Sequence, residues 1–212
     1  MAGPHQGMPV RTMGVPLEKA RAAMVMVHGR GATAESILSL VPALTPQGFA
    51  FLAPQASGNT WYPNSFMAPM PSNEPGISSG ITAIADVIAM ISDAGIPLEK
   101  TMLLGFSQGA CLSVEYAARN AARYGGIAVL SGGLIGPDGT PRNYVGSFDD
   151  TPVFFGCSDI DGHIPALRVT ESASALRHMG ARVTMKLYPG MGHLVNEDEI
   201  AAVNSIMQEV VG

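Results

Sequence analysis

Charge is scarce in this sequence. Only 14% of its 212 residues are Asp, Glu, Lys or Arg, and the net charge is −5. Lysine is confined to Lys19, Lys100 and Lys186, and no cluster of Lys and Arg occurs. Nucleic acid and anionic membrane surfaces are held by concentrated positive charge, so neither is expected as a partner. Cysteine is equally sparse. Cys111 and Cys157 do not define a disulfide, and Cys111, on a presumed helix, reads as a buried free thiol. The stretch Met1-Ala-Gly-Pro-His-Gln-Gly-Met-Pro9 has neither the basic nor the apolar region of a signal peptide. No apolar run has the length to span a bilayer, and the longest, Ile81 to Ile91, carries Asp86. These absences describe a cytoplasmic protein without integral membrane association.

Core-forming residues, by contrast, are plentiful. Apolar residues make up 47% of the chain, which excludes general disorder. The length suits one domain over 1–212, with the Pro- and Gly-rich residues 1–9 loose. Val10 to Val15 reads as a short edge strand. Continuous apolar runs at 22–27, 49–53, 101–105, 126–130 and 152–155 have the pattern of strands buried on both faces, and 182–188 is the last strand. Helices are expected after Thr33, with Ile37, Leu38, Val41 and Leu44 on one side, and over 79–94, 108–123 and 165–179. A final helix follows the capping box Asn196-Glu-Asp-Glu199. The stripe Ile81, Ile84, Ala85, Ile88 and Ile91 is core. Alternating strands and helices predict an α/β fold, a mostly parallel sheet covered on both faces. The long segment 55–76 holds the only tryptophan, Trp61, and a loop of that length is functional or mobile.

Chemistry concentrates where strands end. The strand 101–105 leads into Gly105-Phe-Ser107-Gln-Gly109 and then a helix, the context that makes Gly-x-Ser-x-Gly a nucleophile elbow. Acids follow strand 152–155, at Asp159 and Asp161, and His193 follows strand 182–188. Serine, acid, histidine is the chain order of α/β-hydrolases. Serine needs a base to take its proton and an acid to orient the base. The residues themselves leave Asp159 and Asp161 both open. His163 reads as structural or peripheral, with a place in the site lining as the alternative. The backbone N–H groups of Arg30 and Gln108 are placed to hold an oxyanion, with Gly29 as fallback and the Arg30 guanidinium as a rim contact.

Rival chemistries lack a component. Gly29-Arg-Gly31-Ala-Thr-Ala34 fits a dinucleotide fingerprint, but the next strand ends Leu52-Ala-Pro-Gln55, without the acid that would bind a ribose. No His/Asp/Glu set has metal-ligand spacing. A catalytically idle fold that binds a small molecule is the alternative function, although such proteins usually lack a triad member and none is missing here.

Val25-Met-Val-His28-Gly-Arg-Gly31, Trp61-Tyr-Pro63, Gly105-Phe-Ser-Gln-Gly109, Asp161-x-x-x-Pro165 and Gly192-His193 resemble the phospholipase/carboxylesterase family of α/β-hydrolases, relatives of the acyl-protein thioesterases. The resemblance covers nearly the whole chain. It implies a cofactor-free serine esterase acting on small-molecule carboxylic esters, with thioesters and lysophospholipids as further candidates, and it leaves a homodimer open. It also selects Asp161, four residues before a proline, as the acid. Trp-Tyr-Pro departs from the Trp-Phe/Tyr-Asp often found in the eukaryotic thioesterases, so protein depalmitoylation is not carried over. The chain has no room for a separate lid domain. An open acyl site is therefore expected, lined by the 55–76 loop, including Trp61, Phe66 and Met67, by part of the 132–150 loop and by Gly29.

Overall fold

The computed structural model describes residues 3–212. Strands β1 (Val10–Gly14), β2 (Ala22–Val27), β3 (Phe49–Pro54), β4 (Thr101–Phe106), β5 (Gly126–Leu130), β6 (Pro152–Ser158) and β7 (Arg182–Tyr188) form one sheet in the order β1-β3-β2-β4-β5-β6-β7. Only β1 runs antiparallel, against β3. Helices α1 (Ala34–Leu38), α2 (Gly76–Asp93), α3 (Gln108–Arg119), α4 (Ala166–His178) and α5 (Glu197–Val211) cover both faces.

Strand alternation explains the two cores. Ala23, Val25 and Val27 of β2 face the layer with α2, α3 and α4, while Ala22, Met24 and Met26 face α1 and α5. Every residue of β2 and β3 is buried, as their unbroken apolar runs require.

Several boundaries differ from expectation for local reasons. The helix after Thr33 stops at Leu38, and Pro42 sits instead in a short 3₁₀ turn, Val41–Ala43. Strand β6 continues to Ser158, and α3 ends at Arg119 rather than 123. Helix α2 begins at Gly76, and its buried stripe is Ile77, Gly80, Ile84, Val87 and Ile91, with Ile81, Ala85 and Ile88 only half-buried beside it. At 18 residues α2 is long and apolar enough, by length and composition, to cross a membrane, contrary to the expectation that no segment is. Here its apolar stripe packs on the sheet and on α3.

The amino-terminal segment is not loose where it is described. His5 is buried, its backbone N–H donates to Ser79 Oγ, and its ring N–H donates to Trp61 O at 2.8 Å. Met1 and Ala2 lie outside the described residues.

The capping box at α5 forms as expected, with Glu199 Oε2 accepting from Asn196 N at 2.9 Å. The other oxygen, Oε1, is buried against Gly156 and has no hydrogen-bond partner among the described residues. Burial pushes the Glu199 carboxyl up to about 7, against a lowering by the Asn196 N–H and with a further push from Asp198. The folded protein therefore holds a proton that the unfolded chain releases near 4.5, and stability falls as pH rises between these values. Glu199→Gln keeps the cap and removes the buried charge. It is expected to raise Tm by about 5 °C at pH 8, roughly 2 kcal/mol, and to leave Tm unchanged at pH 4. Thermal melts at the two pH values check this, and an equal gain at both would refute it.

Candidate active site

The elbow is built by close packing. Ser107 occupies φ 56° and ψ −122°, between the end of β4 and the first turn of α3. That strained conformation turns the hydroxyl out above the sheet. Two glycines permit it. A Cβ on Gly105 would lie 2.6 Å from Ala110 Cα, and one on Gly109 would strike the carbonyls of Val27 and His28, the latter at 2.5 Å.

Two neighbouring strand ends bring the other groups. His193 Nδ1–H donates to Asp161 Oδ2 at 2.7 Å, and the Ser107 hydroxyl donates to His193 Nε2 at 2.8 Å. The carboxylate can only accept, which fixes this tautomer. Asp161 Oδ1 accepts from the backbone N–H of His163 (2.8 Å) and Ile164 (3.1 Å). Burial alone would raise the Asp161 carboxyl, but His193 and the two N–H groups outweigh it and hold it below the usual range. Asp159 turns away and accepts from Gly190 N at 2.8 Å, bracing the histidine loop. Ser158 Oγ ties the same two loops together by accepting from Ile160 N and Gly192 N.

The loop after β2 closes the other side. Gln108 is the first residue of α3, so its N–H has no carbonyl one turn earlier to receive it. The Arg30 guanidinium donates to Pro63 O (2.9 Å) and Asn64 O (2.6 Å), the rim contact expected for it. The Gln108 amide receives Trp61 N–H and donates to Tyr62 O, fastening the 55–76 segment to the elbow. His28 is wholly buried; its Nδ1–H donates to Gly29 O and its Nε2 accepts from Ala56 N–H.

A cleft of about 420 Å³ opens over Ser107, with Phe66, Tyr62, Cys111 and Ile164 as its apolar surfaces and Arg30, Pro63, Asn64, Ser65, Gln108, His163 and His193 around them. The 55–76 loop lines it as expected, but of the four residues singled out by number, Gly29, Trp61, Phe66 and Met67, only Phe66 is in it. Trp61 is fully buried between His5 and His28, because its indole N–H finds an acceptor inside, at His28 O. Met67 packs on the core, and Gly29 backs the serine, where a side chain would lie 3.3 Å from Ser107 Cβ. The 132–150 loop also stays out. Buried Arg168 holds it through Leu134 O and Gly136 O, and Glu115 through Ile135 N–H. Tyr62, Pro63, Asn64 and Ser65 belong to the 55–76 loop expected at the cleft, whereas Cys111 and Ile164 were missed and His163, read as structural or peripheral, is in the lining. His163 carried a signal, two residues after the acid, and its ring lies edge-on to His193 at 4.8 Å. Cys111 is no rival nucleophile, since burial pushes its thiol up to about 12.

The sequence model of the phospholipase/carboxylesterase family matches residues 13–211. The chain belongs to that family. Among solved structures it is similar to a phospholipase/carboxylesterase from Dyadobacter fermentans, 45% identical with TM-score 0.93, covering 98% of this chain and 100% of that one. It is 26% identical over 230 residues to a protein of Oryza sativa subsp. japonica named probable carboxylesterase, covering 95% of this chain and 84% of the rice protein. It is 28% identical over 141 residues to acyl-protein thioesterase 1 of Neurospora crassa, spanning 65% of this chain and 57% of the fungal protein. As a member of the phospholipase/carboxylesterase family, the protein is a hydrolase with the α/β-hydrolase fold.

Proposed function

We propose that the protein cleaves small carboxylic esters through an acyl-enzyme formed on Ser107. The observation that carries this reading is the pair of hydrogen bonds, 2.8 and 2.7 Å, joining Ser107, His193 and Asp161 from three separate strand ends. Ser107 Oγ attacks the ester carbonyl carbon while His193 Nε2 takes its proton. Asp161 holds the imidazolium that forms. The oxyanion is received by the N–H groups of Arg30 and Gln108, the latter at a helix amino terminus. His193 returns the proton to the departing alcohol, then activates water to release the acid. Thioesters and lysophospholipids are open to the same steps.

Fluorophosphonate labelling tests the nucleophile. One adduct is expected on the peptide carrying Ser107, and an adduct elsewhere, or none, would defeat the reading. The acid is tested separately. Asp161→Asn is expected to lower kcat by about 10⁴, because the histidine loses the partner that fixes its tautomer. Asp159→Asn should cost no more than about tenfold, since it disturbs only the brace to Gly190. Steady-state rates on a p-nitrophenyl ester decide, and the reverse order of the two losses would overturn the assignment. The unpaired thiols Cys111 and Cys157 support a cytoplasmic setting. A single sheet running through the described residues supports one domain.

A further inference from the structure

The cleft over Ser107 differs in charge from the protein around it. The chain as a whole carries −5, yet among the described residues no carboxylate lines this cleft. The oxygens of Asp161 are turned back toward His193 and the N–H groups of His163 and Ile164. Arg30, in contrast, is in the lining and joins none of the ion pairs among the described residues. Its guanidinium is held in place. Two of the five N–H donors of an arginine go to Pro63 O and Asn64 O, which leaves three. Its Cζ stands 5.9 Å from the centroid of the Tyr62 ring. Neutral carbonyls fix the position without cancelling the charge, so little side-chain entropy is lost when an anion docks. His163 adds a ring in the same lining that makes no hydrogen bond to the described residues.

From this arrangement we infer that the preferred substrates are small esters that also bear a carboxylate, which Arg30 receives, with His163 in the same lining, while Ser107 attacks the ester. The inference rests on the ester-hydrolase reading above and specifies its substrate class. One fixed full charge matches a monoanion, and the short apolar surfaces of Phe66 and Ile164 suit the few carbons between carboxylate and ester. The guanidinium takes no part in bond making. It adds binding energy and a second fixed point for the substrate.

Matched pairs of esters separate the two places the carboxylate can occupy. Mono-4-nitrophenyl adipate against 4-nitrophenyl hexanoate places it on the acyl side, and 3-acetoxybenzoate against 3-acetoxybenzamide places it on the alcohol side. Wild type is expected to favour the anion in one pair by about tenfold in kcat/KM, less so in 0.5 M salt. Arg30→Gln should bring that ratio to about one, and His163→Gln should lower it part-way. His163→Gln removes no internal hydrogen bond of the ring, so it remains informative if Arg30→Gln loosens the 63–64 rim. A wild-type ratio near one in both pairs overturns the inference, as does a ratio that neither variant changes. Hydrolysis of the neutral esters with labelling at Ser107, but no anion preference, would refute the substrate class alone. Absence of labelling and of all hydrolysis would refute the ester-hydrolase reading itself.

Discussion

Ser107→Ala is expected to lower kcat on p-nitrophenyl acetate by about 10⁴ to 10⁶, with KM little changed. The variant removes the attacking oxygen and leaves the cleft walls, the helix terminus and the Arg30 and Gln108 N–H groups in place. Substrate should therefore still bind, and slow attack by water is the remaining route. Members of a relay act as one unit, so the double variant Ser107→Ala, His193→Ala should be scarcely worse than the single. The serine side chain makes one hydrogen bond, to His193, and the elbow is held by backbone and glycine contacts, so folding should be unaffected. Turnover within tenfold of wild type, in protein with a normal melting curve, would exclude Ser107 as the nucleophile.

Gly109→Ala is expected to cost more than about 4 kcal/mol of stability, enough to leave little folded protein at 37 °C. The added methyl would overlap the carbonyls of Val27 and His28, which are backbone atoms at the end of a central strand. Neither can rotate aside as a flexible side chain would. Relief requires α3 to lift from β2, which exposes Val114 and Ala117 and moves Ser107 away from His193. Gly162→Ala is the matched control in the neighbouring loop, with open space around its Cβ and an expected change within about 0.5 kcal/mol. Chemical denaturation of both variants measures the difference, and equal stabilities would show that the elbow does not depend on this close approach.

The sequence made the elbow and the histidine loop legible because both are local. A serine between two glycines needs only the strand before it and the helix after it to be recognised, and His193 stands just past a strand. The acid was less legible. Asp159 and Asp161 are alike in sequence, and what separates them is the path of the chain beyond Ser158, where one carboxylate meets Gly190 N–H and the other meets the imidazole. The cleft walls were least legible. Trp61 and Tyr62 are adjacent large aromatic residues in one long segment, and their assignment turns on contacts distant in sequence. Trp61 is drawn inward by His5 and His28, and Tyr62 is left to line the cleft. A buried histidine near the amino terminus gave no pattern that periodicity could detect.

His5 and His28 accept from consecutive backbone amides. Ser57 N–H donates to His5 Nδ1 and Ala56 N–H donates to His28 Nε2, while the other nitrogen of each ring donates to a carbonyl. Each imidazole is thereby confined to a single neutral form, and burial lowers the affinity of both for a second proton. The unfolded chain takes up those protons near 6.5 and the folded one resists, so acid withdraws stability from the scaffold as pH falls below that value. The segment they hold is the one that Gln108 grips beside Ser107. An acidic limb in a rate profile of this enzyme would thus carry a contribution from the pair of rings that hold the wall beside Ser107.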